Sequence, residues 1–173
     1  MAYKIISLVD GSTRSCDLVN LSQSLSLNCE VLREVDGSHE AVGFVSHETL
    51  VFFAVEFADY ALKNHTKRKS QEAEACITLT KQWLKAHDSV SNEELKVAAA
   101  AANAAYVADY AAHAAESAAY TVINAYAATY AAANAAFAAD YAAADYAAAK
   151  KSKKKEEERQ GNFILSYFNT SVV

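Results

Sequence analysis

Three polar side chains stand at helical spacing in the alanine-rich second half of the sequence: Asp109, His113 and Glu116, at i, i+4 and i+7. On a helix these positions share one face, and an imidazole between two carboxylates is a donor set that could hold a divalent metal or move a proton. Metal sites on helices draw ligands from a second helix as well, through HExxH or paired ExxH motifs, and neither motif occurs in this chain. The trio is therefore read as a polar strip that hydrogen-bonds locally or faces a partner. His39-Glu40 and His47-Glu48 suit a turn and a helix start better than acid–base pairs. The sequence also lacks GxSxG, GxxxxGK[ST] and GxGxxG.

The cysteines, Cys16, Cys29 and Cys76, are scattered and odd in number, which points to reduced core thiols rather than a disulfide framework or a zinc site. No catalytic residue, metal or cofactor is assigned, and an enzyme is not expected. What remain are acidic groups set between aromatic rings: Asp59, Asp109, Glu116, Asp140 and Asp145. On an alanine surface such carboxylates are little screened and can receive Arg or Lys from a partner. The candidate binding residues are Asp109, His113, Glu116, Asp140, Tyr141, Asp145 and Tyr146, and the expected partner is a protein with a basic surface. The lysines of KKSKKKEEER receive no role, because Glu156, Glu157 and Glu158 are expected to cancel their field within a Debye length.

A chain of 173 residues suits one compact domain. Its net charge of −5 argues against non-specific nucleic-acid binding, which needs a broad cationic surface to release counterions. The N-terminus MAYKIISLVDG lacks a long apolar run, and Asp, Asn, His and Glu interrupt the alanine-rich segment too often for it to span a bilayer.

The elements that must position these groups follow from local signals. Asp10-Gly11 and Asp36-Gly37 each separate β-leaning runs, the pattern of two hairpins, although Leu18 to Val35 could instead contain a helix. Ser46 is placed to cap a helix ending near Lys63-Asn64, and a second helix runs from about Ser70 to Ala86. Trp83 on that helix is expected to be buried against the alanine-rich segment. Ser91-x-x-Glu94 is a capping box ahead of a run in which 30 of the residues from Ala98 to Ala149 are alanine. Unbroken to Glu158, that helix would be about 95 Å long, too long for a domain of this size.

The aromatic stripe changes phase near Thr121 to Asn124, so helices are predicted over residues 92–120 and 125–155 with a break between them. The repeats Tyr106 to Tyr110, Tyr126 to Tyr130 and Phe137 to Tyr141 are read as packing units, each ring lying across alanines of another helix. Gly161 is expected to end the last helix, and the β-leaning NFILSYFNTSVV to return as a strand. The fold class is mainly α: an Ala-rich helical bundle with a small N-terminal β element of one or two hairpins, with room for a C-terminal strand. Residues 1–45 form the β element, 46–160 the helical region and 161–173 a strand or tail, within one compact domain.

From Val55 to about Ala149 the chain resembles the Imm-5 family of immunity proteins, whose relatives occur in bacterial toxin–immunity loci and in phage genomes. The resemblance lies in the order ALKN, TKQWLKAHDSVSNEELK with Trp83, Ser91 and Glu94, then AAAAANAAYVADYAAHAAESAAY. It implies a helical protein that binds and silences another protein, and it transfers no catalytic residues. The expected function is thus a cytoplasmic inhibitor, either an immunity protein or a phage counter-defence or host-takeover factor acting inside the infected cell. The alternatives are sequestration of a small molecule such as a nucleotide signal between tyrosine-bearing helices, and self-assembly of the long helical segment.

Overall fold

The computed structural model describes residues 2–65, 70–104, 110–124, 127–142 and 146–170. Both Asp-Gly pairs make hairpins. Strands β1 (Ala2–Ser7) and β2 (Thr13–Asp17) pair antiparallel around a turn in which Gly11 has φ +70°, and Asp10 accepts a hydrogen bond from the Ser12 amide at 2.9 Å. Strands β3 (Cys29–Val35) and β4 (Ser38–Val45) are joined by Asp36 and Gly37 alone. Both residues have positive φ, the geometry of a tight turn whose twist matches the strands it joins. Pairing of β1 with β3 gives the sheet order β2-β1-β3-β4. Of the segment whose structure the sequence left open, only Leu21–Ser24 is helical, as the single turn α1.

One sheet face carries Tyr3, Ile5, Cys29, Val31 and Val45, all buried. Against the bundle beneath it stands α2 (His47–Asn64), capped by the Ser46 hydroxyl on the Thr49 amide. Leu50, Val51, Phe53, Val55 and Phe57 of α2 are all buried. Around α2 pack α3 (Gln71–Lys85), α5 (Tyr110–Ile123) and α6 (Ala127–Ala142), with α4 (Asn92–Ala104) against α3 and α5. The capping box forms as read: the Glu94 carboxylate takes the Ser91 amide at 2.8 Å and the Ser91 hydroxyl takes the Glu94 amide at 3.2 Å.

The alanines make the interior. Ala111, Ala112, Ala115, Ala118 and Ala119 of α5, and Ala131, Ala132, Ala135 and Ala136 of α6, are all buried. A methyl side chain lets helix backbones approach closely, so dispersion contacts fall between backbones as well as side chains. Each buried alanine removes little apolar area, but it loses no side-chain entropy on ordering. Close approach also leaves little room for rings. Tyr110 and Tyr120 are only partly buried, while Tyr130 and Phe137 are 53% and 38% exposed. Tyr110 and Tyr120 thus pack on the core as the sequence suggested, while Tyr130 and Phe137 sit at its rim.

The long helical segment folds back more often than its aromatic phase indicated. The break at Asn124 is present, after α5 ends at Ile123. Residues 92–120 are not one helix, because Asn103 of α4 donates to the Glu116 carboxylate of α5 at 2.9 Å, whereas a continuous helix would hold them about 20 Å apart. Residues 125–155 likewise divide into α6 and α7 (Tyr146–Thr170), with Lys153 Nζ 4.0 Å from the Phe137 ring centroid. The driving physics is burial: folding back lays the alanine faces on α2, which a rod would leave in water.

The C-terminal expectation is corrected. Residues 161–170 are helical, continuous with α7, so neither a strand nor a boundary at residue 160 exists there. Phe163, Tyr167 and Phe168 recur at helical spacing and pack on Phe52 and Phe53 of α2, with ring centroids 5.1 to 6.1 Å apart. That aromatic contact overrides the β-leaning composition. Gly161 does not end the helix; it sits mid-helix, where a Cβ would meet the Leu18 carbonyl oxygen. Gly43 has the same role on β4, under the Phe168 ring.

In an open helix Gly→Ala stabilises by about 1 kcal/mol. Gly161→Ala is expected to do the reverse, losing about 1 to 3 kcal/mol as an overpacked contact. The urea midpoint checks this, and a raised midpoint would show that the Leu18 backbone yields.

Candidate functional site

Of the binding residues read from the sequence, His113 and Glu116 are described. They lie on α5, where the Glu116 carboxylate takes His113 Nδ1 at 2.9 Å and Asn103 Nδ2 at 2.9 Å. The strip is thus an internal clasp between α4 and α5. Asp109 and Asp145 lie outside the described residues, as do the side chains of Asp140, Tyr141 and Tyr146. Asp59 is held by Lys63 of its own helix and by Lys81 of α3. Burial raises its pKa, but those two lysines outweigh it and keep the carboxyl below its ordinary value. Cys76 hydrogen-bonds the Ala115 carbonyl at 3.4 Å, and burial pushes its thiol up to about 12, which removes the thiolate a nucleophile needs.

Trp83 is packed against the core and partly buried. His87 stacks on its face at 4.3 Å between centroids and His47 meets it edge-on at 5.7 Å. His47 in turn reaches the Thr121 carbonyl at 2.8 Å, so this cluster joins the start of α2 to the ends of α3 and α5.

The acidic run after the lysines behaves differently from its sequence reading. Glu156 is buried and binds Arg159 through two hydrogen bonds of 2.7 and 2.8 Å. Arg159 lies over the Tyr60 ring at 3.6 Å, and His65 Nε2 stands 3.7 Å from Glu156. Gln160, fully buried, donates to the Ala132 carbonyl at 3.1 Å and accepts from Ser22 at 2.8 Å. Glu157 accepts from Gln23 at 3.3 Å. Only Glu158 reaches a lysine, Lys154, at 4.0 Å. Lys150, Lys151, Lys153 and Lys155 make no ion pair among the described residues, and of the three glutamates Glu156 is taken out of the cancellation by Arg159.

The candidate site is the face where these lysines meet the exposed rings. Phe137 packs against Tyr110 at 5.6 Å between centroids, under the Lys153 ammonium, and Tyr130 lies two turns earlier on α6. Asn134, between the two on α6, bonds Ser117 of α5 at 3.3 Å and fixes the helices that present them. Such a face can bind through ring contact and cation-assisted hydrogen bonds. The sequence held a signal for it: Glu156, Gln160, Ile164 and Phe168 form an i, i+4 ladder, all buried, which turns Lys151 and Lys155 outward and leaves Lys153 at the edge facing α6 once α7 is taken as continuous. Comparison with protein-family models, curated proteins and solved structures gives no match in any of the three.

Burial raises the Glu156 pKa, but the hydrogen bonds from Arg159, with His65 nearby, outweigh it and leave the carboxyl below its ordinary 4.5. A depressed folded value stabilises the protein above the unfolded pKa, and that contribution is lost as pH falls through the folded one. Glu156→Gln is expected to cost about 2 to 4 kcal/mol at pH 7, less than a fully buried pair because Arg159 keeps some solvent contact. Denaturation at pH 7 and pH 4 should show the gap between variant and wild type narrowing in acid; a constant gap would mean that packing, not charge, carries the effect.

Proposed function

We propose that this protein is a small binding protein that acts by occupying a partner protein's surface, with the outward rings of α6 as its contact. The observation that carries the reading is the division of α6: alanines fill its buried face while Tyr130 and Phe137 stay 53% and 38% exposed. Rings that contribute little to the core are retained at the surface of a stiff helix, where they supply large contact area at small entropic cost. Aromatic anchors of this kind are enriched in protein interfaces. The resemblance to Imm-5 supports a neutralising role, as an immunity protein or a phage inhibitor of a host or defence protein.

A photo-crosslinking residue in place of Tyr130 is expected to give a discrete protein adduct in bacterial cells, and the same residue in place of Lys96 on α4 to give none. Adding Phe137→Ser should suppress the adduct at a stability cost of about 1 to 3 kcal/mol, since the ring is partly buried against Tyr110, and circular dichroism should show the helix content kept. No adduct from position 130, or equal adducts from both positions, would refute the reading.

A further inference from the structure

We infer that the partner presents an acidic segment to this face, docking on the lysine band of α7 where Lys153 covers Phe137; this rests on the proposed contact through α6. Five of the chain's 16 basic residues fall within residues 150–155, so this segment holds +5 while the remaining residues sum to −10. The charge is segregated, and the structure keeps it so. Glu156, the carboxylate nearest in sequence, is turned inward and neutralised by Arg159; Glu157 keeps its charge but is held toward Gln23, and Glu158 pairs with Lys154 alone, at 4.0 Å. Lys150, Lys151, Lys154 and Lys155 are exposed, and Lys153 lies over the Phe137 ring. A cation on an aromatic face is a composite donor: it offers N–H groups to a carboxylate while the ring edge offers apolar contact.

The same distribution selects the kind of anion. At physiological ionic strength charges are screened beyond about 8 Å, so the band attracts only what lies directly on it. A long polyanion such as a nucleic-acid strand would extend past the band over a surface whose net charge is strongly negative. A short Asp/Glu-bearing segment of a protein fits within the band, and its apolar side chains have Tyr130 and Phe137 to meet.

The test measures anisotropy of a labelled Glu-rich peptide carrying one Phe, a matched Lys-rich peptide and an oligothymidylate against the full chain. The Glu-rich peptide should bind, more tightly at low salt, and the Lys-rich peptide should not. Replacing Lys151, Lys153 and Lys155 with Gln should weaken the Glu-rich peptide about tenfold, as three partly exposed ion pairs would. Replacing Lys4, Lys85 and Lys96 with Gln removes the same charge elsewhere and should leave binding within about twofold. Circular dichroism checks that both triple variants keep their helix content. The inference fails if the Glu-rich peptide binds no better than the Lys-rich one, if the two triple variants weaken it equally, or if the oligothymidylate binds more tightly. If the position-130 adduct forms at full yield in the Lys151, Lys153 and Lys155 variant, the contact through α6 stands and the acidic partner is wrong. Absence of that adduct from the wild-type background overturns the contact itself.

Discussion

Close approach of α2, α5 and α6 through alanine is the constraint on which the other features rest. Helices separated by methyl groups leave little room for a ring between them, which favours places for the rings outside the seams. The rings of α2 take the side facing α7, where Phe52 and Phe53 meet Phe163, Tyr167 and Phe168. Of the described rings of α5 and α6, Tyr110 and Tyr120 pack on the core, and Tyr130 and Phe137 stay partly open to solvent. A candidate interface therefore arises as a by-product of how the interior is filled.

The second requirement is that α7 lie flat on the rest of the molecule. Two glycines permit it, Gly161 against the Leu18 backbone and Gly43 beneath Phe168. A polar node holds its middle, with Gln160 bonded to Ala132 of α6 and Ser22 of α1, and Arg159 bridging Glu156 to the Tyr60 ring. Buried groups of this type add little net stability over an apolar substitute, but they penalise any other register of the helix. Their orientation is also what sends the lysines outward.

Much of the fold was legible because its signals are local. Ser46, Ser70 and Ser91 cap the helices that follow them, and Asp36-Gly37 supplies the positive φ its turn needs. The junction at Asn124 could be read from the phase of the rings. What escaped depends on contacts distant in sequence. No property of NFILSYF alone says helix, since its stripe acquires meaning only opposite the rings of α2. The further divisions between α4 and α5 and between α6 and α7 come in alanine-rich sequence without Gly or Pro to mark an end. The site was half legible: the local bonding of the polar strip was read, as His113 to Glu116 shows, but not the reach of Asn103 from α4, nor the inward turn of Glu156 beside the lysines.

The placement of α7 also sets an order of events during synthesis. Its first α2-facing ring, Phe163, follows Phe53 by 110 residues. At ribosomal rates of about 5 to 20 residues per second, the aromatic side of α2 waits about 5 to 20 seconds for its cover. Over that interval the nascent chain offers a bare apolar helix face beside a sheet whose inner face is also incomplete. Its yield in the cell is therefore governed by the speed of elongation and by the chaperones that meet the chain, in addition to the stability of the finished fold.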